Sequence, residues 1–142
     1  MLKILVPIDG SDNALRAVRH VASRESTCRD ADEIILLNVQ PPVASGVVRM
    51  FVSQGDLKGY YQEEGEKVLA PACALLETAG IVFHAEMRVG EMGETIARFA
   101  REKGCGLIAM GTRGLGAVGN MLLGSVATKV ISLSDVPVLL VK

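Results

Sequence analysis

Seven of the fifteen glycines in this 142-residue chain fall between Gly104 and Gly124. Glycine lets a backbone approach a bulky anion closely and adopt positive φ, so that successive N–H groups converge on oxygen atoms. Residues 111–126 read GTRGLGAVGNMLLGSV, and a helix beginning near Gly124–Ser125 would add its positive end, unsatisfied N–H groups and a hydroxyl. The charges agree. Residues 104–142 carry Arg113, Lys129 and Lys142 against Asp135 alone, and no carboxylate occurs between Lys103 and Ser134. A loop built to approach an anion needs that vacancy, and Arg113 can add one positive charge. A surface turn with incidental glycines is the plainer alternative.

Two familiar phosphate motifs nearly fit and fail at named residues. Gly114-Leu-Gly116-Ala-Val-Gly119 has the spacing of a dinucleotide fingerprint, which belongs after a first strand with an acid about 20 residues on. Here the chain ends 23 residues after Gly119, and Asp135 precedes the last strand instead of following one. Gly119-Asn-Met-Leu-Leu-Gly124 has the P-loop spacing, but Ser125 stands where the phosphate-binding lysine is required.

Other chemistry is thinly represented. Cys28, Cys73 and Cys105 are odd in number and widely spaced, which suits neither a disulfide framework nor a zinc site, and they read as small buried hydrophobes. His20 and His84 have no ligand spacing. No Cys/His pair and no paired carboxylates lie near the loop; Asp9 is the one group that could position a water for slow hydrolysis. A net charge of −1 argues against nucleic acid or an anionic membrane as partner. The length suits one domain over residues 1–142, with 49% apolar and 22% charged residues as in ordinary globular proteins. No apolar run approaches the roughly 18 residues of a membrane span. The start MLKILVPI is stopped by Asp9 too early for a signal peptide, so a cytoplasmic location is expected.

The elements that must position the loop follow from periodicity. LKILVPI (2–8) reads as a buried strand, and Ser11 or Asp12 can cap a helix bearing Ala14, Ala17, Val18 and Val21. EIILLNV (33–39) is a second strand, ended by Pro41 and Pro42. Residues 43–56 form a long connection, read as a lid, an interface or a short element. A helix over about 57–79 presents Tyr61, Val68, Ala72, Leu75 and Ala79, with Pro71 predicting a kink or break. From Ile81 to Val89 the pattern alternates, with His84, Glu86 and Arg88 on a wet face suited to a sheet edge, so His84 reads as solvated. A helix over about 94–103 presents Ile96, Phe99 and Ala100 and stops at Gly104. LIAM (107–110) is a buried strand, 125–133 a helix with Val126, Val130 and Leu133 inward, and VPVLLV (136–141) the last strand.

Five strands alternating with helices predict an α/β fold, a single open parallel sheet covered on both faces. With strand order 3-2-1-4-5, strands one and four flank the switch point where ligands bind beyond the carboxyl ends. Asp9 ends strand one and the glycine loop ends strand four. Pro7 is compatible with a central strand only at its end.

Over essentially its whole length, from KILVPIDGS to VPVLLVK, the sequence resembles the universal stress protein family. It is most similar to the nucleotide-binding subgroup, whose motif Gly-x2-Gly-x9-Gly-[Ser/Thr] is matched in full by Gly111, Gly114, Gly124 and Ser125. The resemblance implies a cytoplasmic, ATP-binding stress-response sensor or regulator with magnesium on the phosphates. It implies Pro7, Ile8 and Asp9 along adenine and ribose, and Val39 meeting adenine through its backbone. Met110, Gly111, Arg113 and Gly114 would follow ribose and phosphates, with Gly124, Ser125 and Val126 closing the phosphate cradle. It also implies a homodimer formed through the last strand, residues 136–141. Gly106 and Gly93 depart from the family, which often has Asp and Ala there. Two other readings stay open: a slow ATPase or phosphotransferase using the same site, and a nucleotide-free interaction module using residues 43–56.

Overall fold

The computed structural model describes residues 1–25, 33–43, 53–115, 119–120 and 122–142. Along the chain run β1 (Lys3–Pro7), α1 (Asp12–Glu25), β2 (Glu33–Gln40), α2 (Gln54–Thr78), β3 (Phe83–Val89), α3 (Met92–Glu102), β4 (Leu107–Gly111), α4 (Ser125–Leu133) and β5 (Val138–Val141). The strands form one parallel sheet in the order β3-β2-β1-β4-β5, as the alternation of elements predicts.

The central strands are apolar on both sides because both sides are covered. In β2 every residue from Ile34 to Val39 is buried. Alternation then deals them to two cores. Ile34 and Leu36 join Ile4 and Val6 beneath Ala14, Ala17, Val18 and Val21 of α1 and Leu69, Ala72 and Leu76 of α2. Ile35, Leu37 and Val39 join Leu5, Ile108 and Met110 beneath Ile96, Phe99 and Ala100 of α3 and Ala127 and Val130 of α4.

Several sequence expectations shift. The long helix begins at Gln54, capped by Ser53, whose Oγ accepts from the Asp56 N–H at 3.1 Å, and it runs through Pro71 without a break. Pro71 sits on the exposed face, where its ring meets solvent. The buried stripe of α2 is Tyr61, Leu69, Ala72 and Leu76, with Val68 and Leu75 partly covered and Ala79 exposed. Leu133 is 41% exposed, so Ala127 and Val130 alone are fully buried in α4. On β3 the apolar face is only half covered: Ala85 and Val89 are exposed, as expected where an edge strand outruns the helix above it. His84 is exposed too, 3.9 Å from Glu33. Most of the 43–56 connection, VVRMFV (47–52) included, lies outside the described residues, as does Cys28.

The two departures from the family pattern each face a side chain. A Cβ on Gly106 would meet Leu2 Cδ1 at 2.6 Å, and one on Gly93 would overlap the Lys129 stem. No described helix is long and apolar enough to cross a membrane.

Leu36 is fully buried on β2, paired with Val6 of the central strand. Leu36→Ala is expected to cost about 2–5 kcal/mol of stability, read from the midpoint of urea unfolding; a midpoint equal to wild type would contradict this core assignment.

Candidate functional site

The site begins with a missing donor. Ile8 N–H bonds to Leu37 O at 2.8 Å, and Lys3 O accepts from Gly106 N–H at 2.9 Å, so even residues of β1 face β2 and odd ones face β4. Pro7 therefore faces β4, and it has no N–H to offer. Pairing with β4 stops at Leu5↔Ile108, whereas pairing with β2 runs on to Pro7↔Leu37. The sheet parts there, at the switch point, and a crevice of about 310 Å³ opens between the strand ends.

All the residues singled out from the sequence line this crevice: Pro7, Ile8, Asp9, Val39, Met110, Gly111, Arg113, Gly114, Gly124, Ser125 and Val126. Pro41, read from the sequence as a strand end, and Gln40, Met92, Glu64 and Val68, none of them read as site residues, line it as well. The last two sit on α2, one helical turn apart, and their position depends on how that helix docks.

Asp9 joins the two halves of the crevice. Its Oδ1 accepts from the Ser11 N–H at 2.9 Å, and its Oδ2 accepts from the Leu115 N–H at 3.2 Å, across 106 residues. The same turn caps α1, where Ser11 Oγ accepts from the Ala14 N–H at 3.2 Å. Gly10 makes the turn at φ +88°.

Two of the motif glycines, Gly111 and Gly114, are glycines for reasons of space, whereas a Cβ on Gly124 would make only ordinary contacts. Among the described residues, positive φ occurs at Gly10, Gly80, Gly104 and Gly119, and at none of Gly111, Gly114 or Gly124. A Cβ on Gly114 would overlap Asp9 Oδ2, and one on Gly111 would lie 2.9 Å from Asn13 Cβ. On Gly124 it would meet Arg113 Cα at 3.4 Å, and the Gly124 N–H donates to Thr112 O at 2.7 Å. The loop is thus packed onto α1, Asp9 and itself.

The helix ends show where polar capacity is left over. α1 is capped by Ser11, α2 by Ser53, and α3 by Glu91, whose carboxylate accepts from Gly93 and Glu94 at 3.1 and 2.7 Å. α4 starts from Gly124, which has no side chain to cap it, and its first residues Ser125 and Val126 line the crevice. Helix starts of this kind suit anions. Arg113 is exposed beside them, its Nη1 3.5 Å from Gly119 O.

At the opposite wall the Gly90 N–H reaches Gln40 O at 2.9 Å on the β3 side. Alternation turns the Val39 N–H and C=O the other way, past the end of β1 and into the gap. Asn38, 3% exposed, donates from Nδ2 to Ile8 O at 2.9 Å and closes the floor.

Cys73 and Cys105 are not among the residues that line this crevice. Burial pushes the thiol of Cys73 up, helped by Glu77, and burial likewise raises that of Cys105, so both stay protonated near neutral pH. Among the described residues no three His, Cys, Asp or Glu side chains gather as a metal site.

The sequence model of the Universal stress protein family matches residues 1–142. A universal stress protein of Thermus aquaticus is 39% identical over 139 residues, covering 98% of this chain and 97% of that protein. The solved structure of MJ0577, a universal stress protein of Methanocaldococcus jannaschii, superposes with a TM-score of 0.85 at 34% identity, covering 99% of this chain and 95% of the other. Two more distant structures share the fold. One is a universal stress protein in complex with cAMP (TM-score 0.72, 24% identity, 99% and 97% covered), the other the Archaeoglobus fulgidus protein in complex with dAMP (0.67, 23%, 100% and 98%).

Gly114→Ala is expected to displace the Asp9 carboxylate from the Leu115 N–H. Hydrogen bonds to charged groups are worth about 1.5–3 kcal/mol, so exchange of the Leu115 amide with deuterium should quicken about tenfold or more. An unchanged exchange rate would contradict the bridge.

Proposed function

The chain belongs to the universal stress protein family, and from that premise we propose that it is a cytoplasmic ATP-binding regulator, one domain over residues 1–142. Its nucleotide occupies the crevice between β1 and β4. The observation that carries this reading is the uncapped start of α4 at Gly124, opening on the same crevice as the glycine loop. The adenine complexes of the distant relatives add support.

Each part of the crevice suits a part of the ligand. Pro7, Val39, Met92, Met110 and Val126 offer apolar surface to a base, and the Val39 N–H and C=O offer one donor and one acceptor to its edge. Ile8 and Asp9 lie where the ribose would sit, with Gly111 and Gly114 leading from it to the phosphates. The first turn of α4, with Gly124, Ser125 and Val126, offers N–H groups and a hydroxyl to a triphosphate, and Arg113 adds charge.

ATP carries roughly three to four negative charges, more than one arginine and one helix start offset, so magnesium on the phosphates would supply the remaining positive charge. Two carboxylates line the crevice, Glu64 and, tied to the glycine loop, Asp9. Because Asp9 accepts two backbone N–H bonds, its first role is to hold the loop. That favours binding and signalling over general-base hydrolysis.

β5 lies at the sheet edge, and its residues Val138–Val141 are uncharged and half-buried. Proteins cover such edges, and pairing with β5 of a second copy would cover this one, with residues 136–141 at the dimer centre.

Calorimetric titration should show wild-type protein saturating with magnesium-ATP below millimolar concentration. Gly124→Val, which puts a branched side chain into the proposed phosphate cradle, should abolish that binding. Wild-type protein that binds no nucleotide at millimolar concentration would overturn the site. Light scattering at micromolar concentration should report twice the 15.1 kDa chain mass; a monomer would overturn the pairing through β5.

A further inference from the structure

We infer that Tyr61, a residue of α2 outside the glycine motif, is a positioning residue for base recognition: it fixes the wall of the crevice that carries Val39. The inference rests on the nucleotide reading above and assigns it a determinant on an element the motif does not include.

Two prolines leave the exit of β2 short of backbone donors. After Gln40 the chain passes through Pro41 and Pro42, neither of which has an N–H. The first backbone donor able to anchor the exit of β2 is therefore that of Val43. It donates to Tyr61 Oη at 2.8 Å. The side chain of Gln40 makes a second tie, donating from Nε2 to Tyr61 O at 2.8 Å. One residue of α2 thus holds both ends of the 40–43 segment, by its hydroxyl and by its carbonyl.

Neither tie is a loose surface contact. Tyr61 is 9% exposed. Gly65, one turn further along α2, lets the helix come close: a Cβ there would lie 2.9 Å from Met87 Cγ and 3.2 Å from Gln40 Nε2. Between these two contacts α2 presents Glu64 to the crevice, and Gln40 and Pro41 form the adjoining wall. A wall pinned on one side by β3 and on the other by Tyr61 keeps the Val39 N–H and C=O aimed into the gap. Preorganised donors and acceptors bind better than ones that must first be ordered. The phosphate half of the crevice, built from the glycine loop and α4, has no contact with Tyr61 among the described bonds.

This asymmetry makes the test selective. Tyr61→Phe keeps the ring and its burial and removes the hydroxyl bond to Val43. Gln40→Met keeps the length of the side chain and removes the bond to the Tyr61 carbonyl. Affinities of wild type and both variants are measured for magnesium-ATP and for magnesium-tripolyphosphate, which has the phosphates without the base. Each variant should bind ATP about three- to tenfold more weakly, the range for one lost neutral hydrogen bond, and bind tripolyphosphate within about twofold of wild type. If wild type binds ATP and the variants match it, or lose both ligands equally, the positioning role is overturned while the nucleotide site stands. If wild type binds no ATP, the nucleotide reading itself falls. Should Tyr61→Phe fail to fold, Gln40→Met carries the same test.

Discussion

β1 runs down the middle of the sheet and ends in a proline whose missing N–H falls on the β4 side. The opening between β1 and β4 follows from that placement. Pairing continues toward β2 to the end of β1 but stops toward β4 two residues earlier, so the sheet opens at the strand ends where its order reverses. β2 runs three residues further, carrying Val39 and Gln40 along one wall. β4 runs to Gly111 and delivers the glycine loop to the other. A residue with an N–H at position 7 could extend the β4 ladder and draw the two walls together.

Asp9 is the counterweight to that opening. Two residues beyond Pro7, its carboxylate takes one N–H from its own turn and one from the glycine loop, tying together what the strand pairing has released. Thr112 extends the connection outward: its carbonyl accepts from Gly124 at the start of α4, and its N–H donates to Val141 O at 3.1 Å on the edge strand. The loop that faces the crevice is therefore bonded to β1 on one side and to β5 on the other. The proposed ligand site and the proposed dimer edge share a residue.

Much of this was legible in the sequence because it rests on local rules. Short apolar runs ended by Pro or Gly marked the strands, and their alternation with helices led to a parallel sheet. Pro7 read correctly as a strand end. Other features were not legible, because tertiary packing decides them. Pro71 lies on the exposed face of α2 without ending it, because the buried residues on either side, Leu69, Ala72 and Leu76, keep the helix docked on the sheet. The stripe of α2 rotates toward Leu69 and Leu76 once the helix docks on β2. The motif glycines looked like positions for unusual φ, whereas the structure gives them ordinary φ and uses the missing side chains of Gly114 and Gly111 to seat Asp9 and Asn13. Tyr61 read as one more apolar face residue, because nothing in a sequence reveals that its hydroxyl meets the N–H of Val43.

The central claim is that the open end of the sheet, from Val39 across to the start of α4, receives an adenine nucleotide. Two-dimensional amide NMR of the protein during addition of magnesium-ATP tests it most directly, because each wall reports separately. The largest shifts should fall on the amides of Val39, Leu115, Ser125 and Val126, while those along β3 and the outer face of α2 stay in place. Shifts that cluster elsewhere, or resonances of those four amides that do not move at saturating nucleotide, would contradict it.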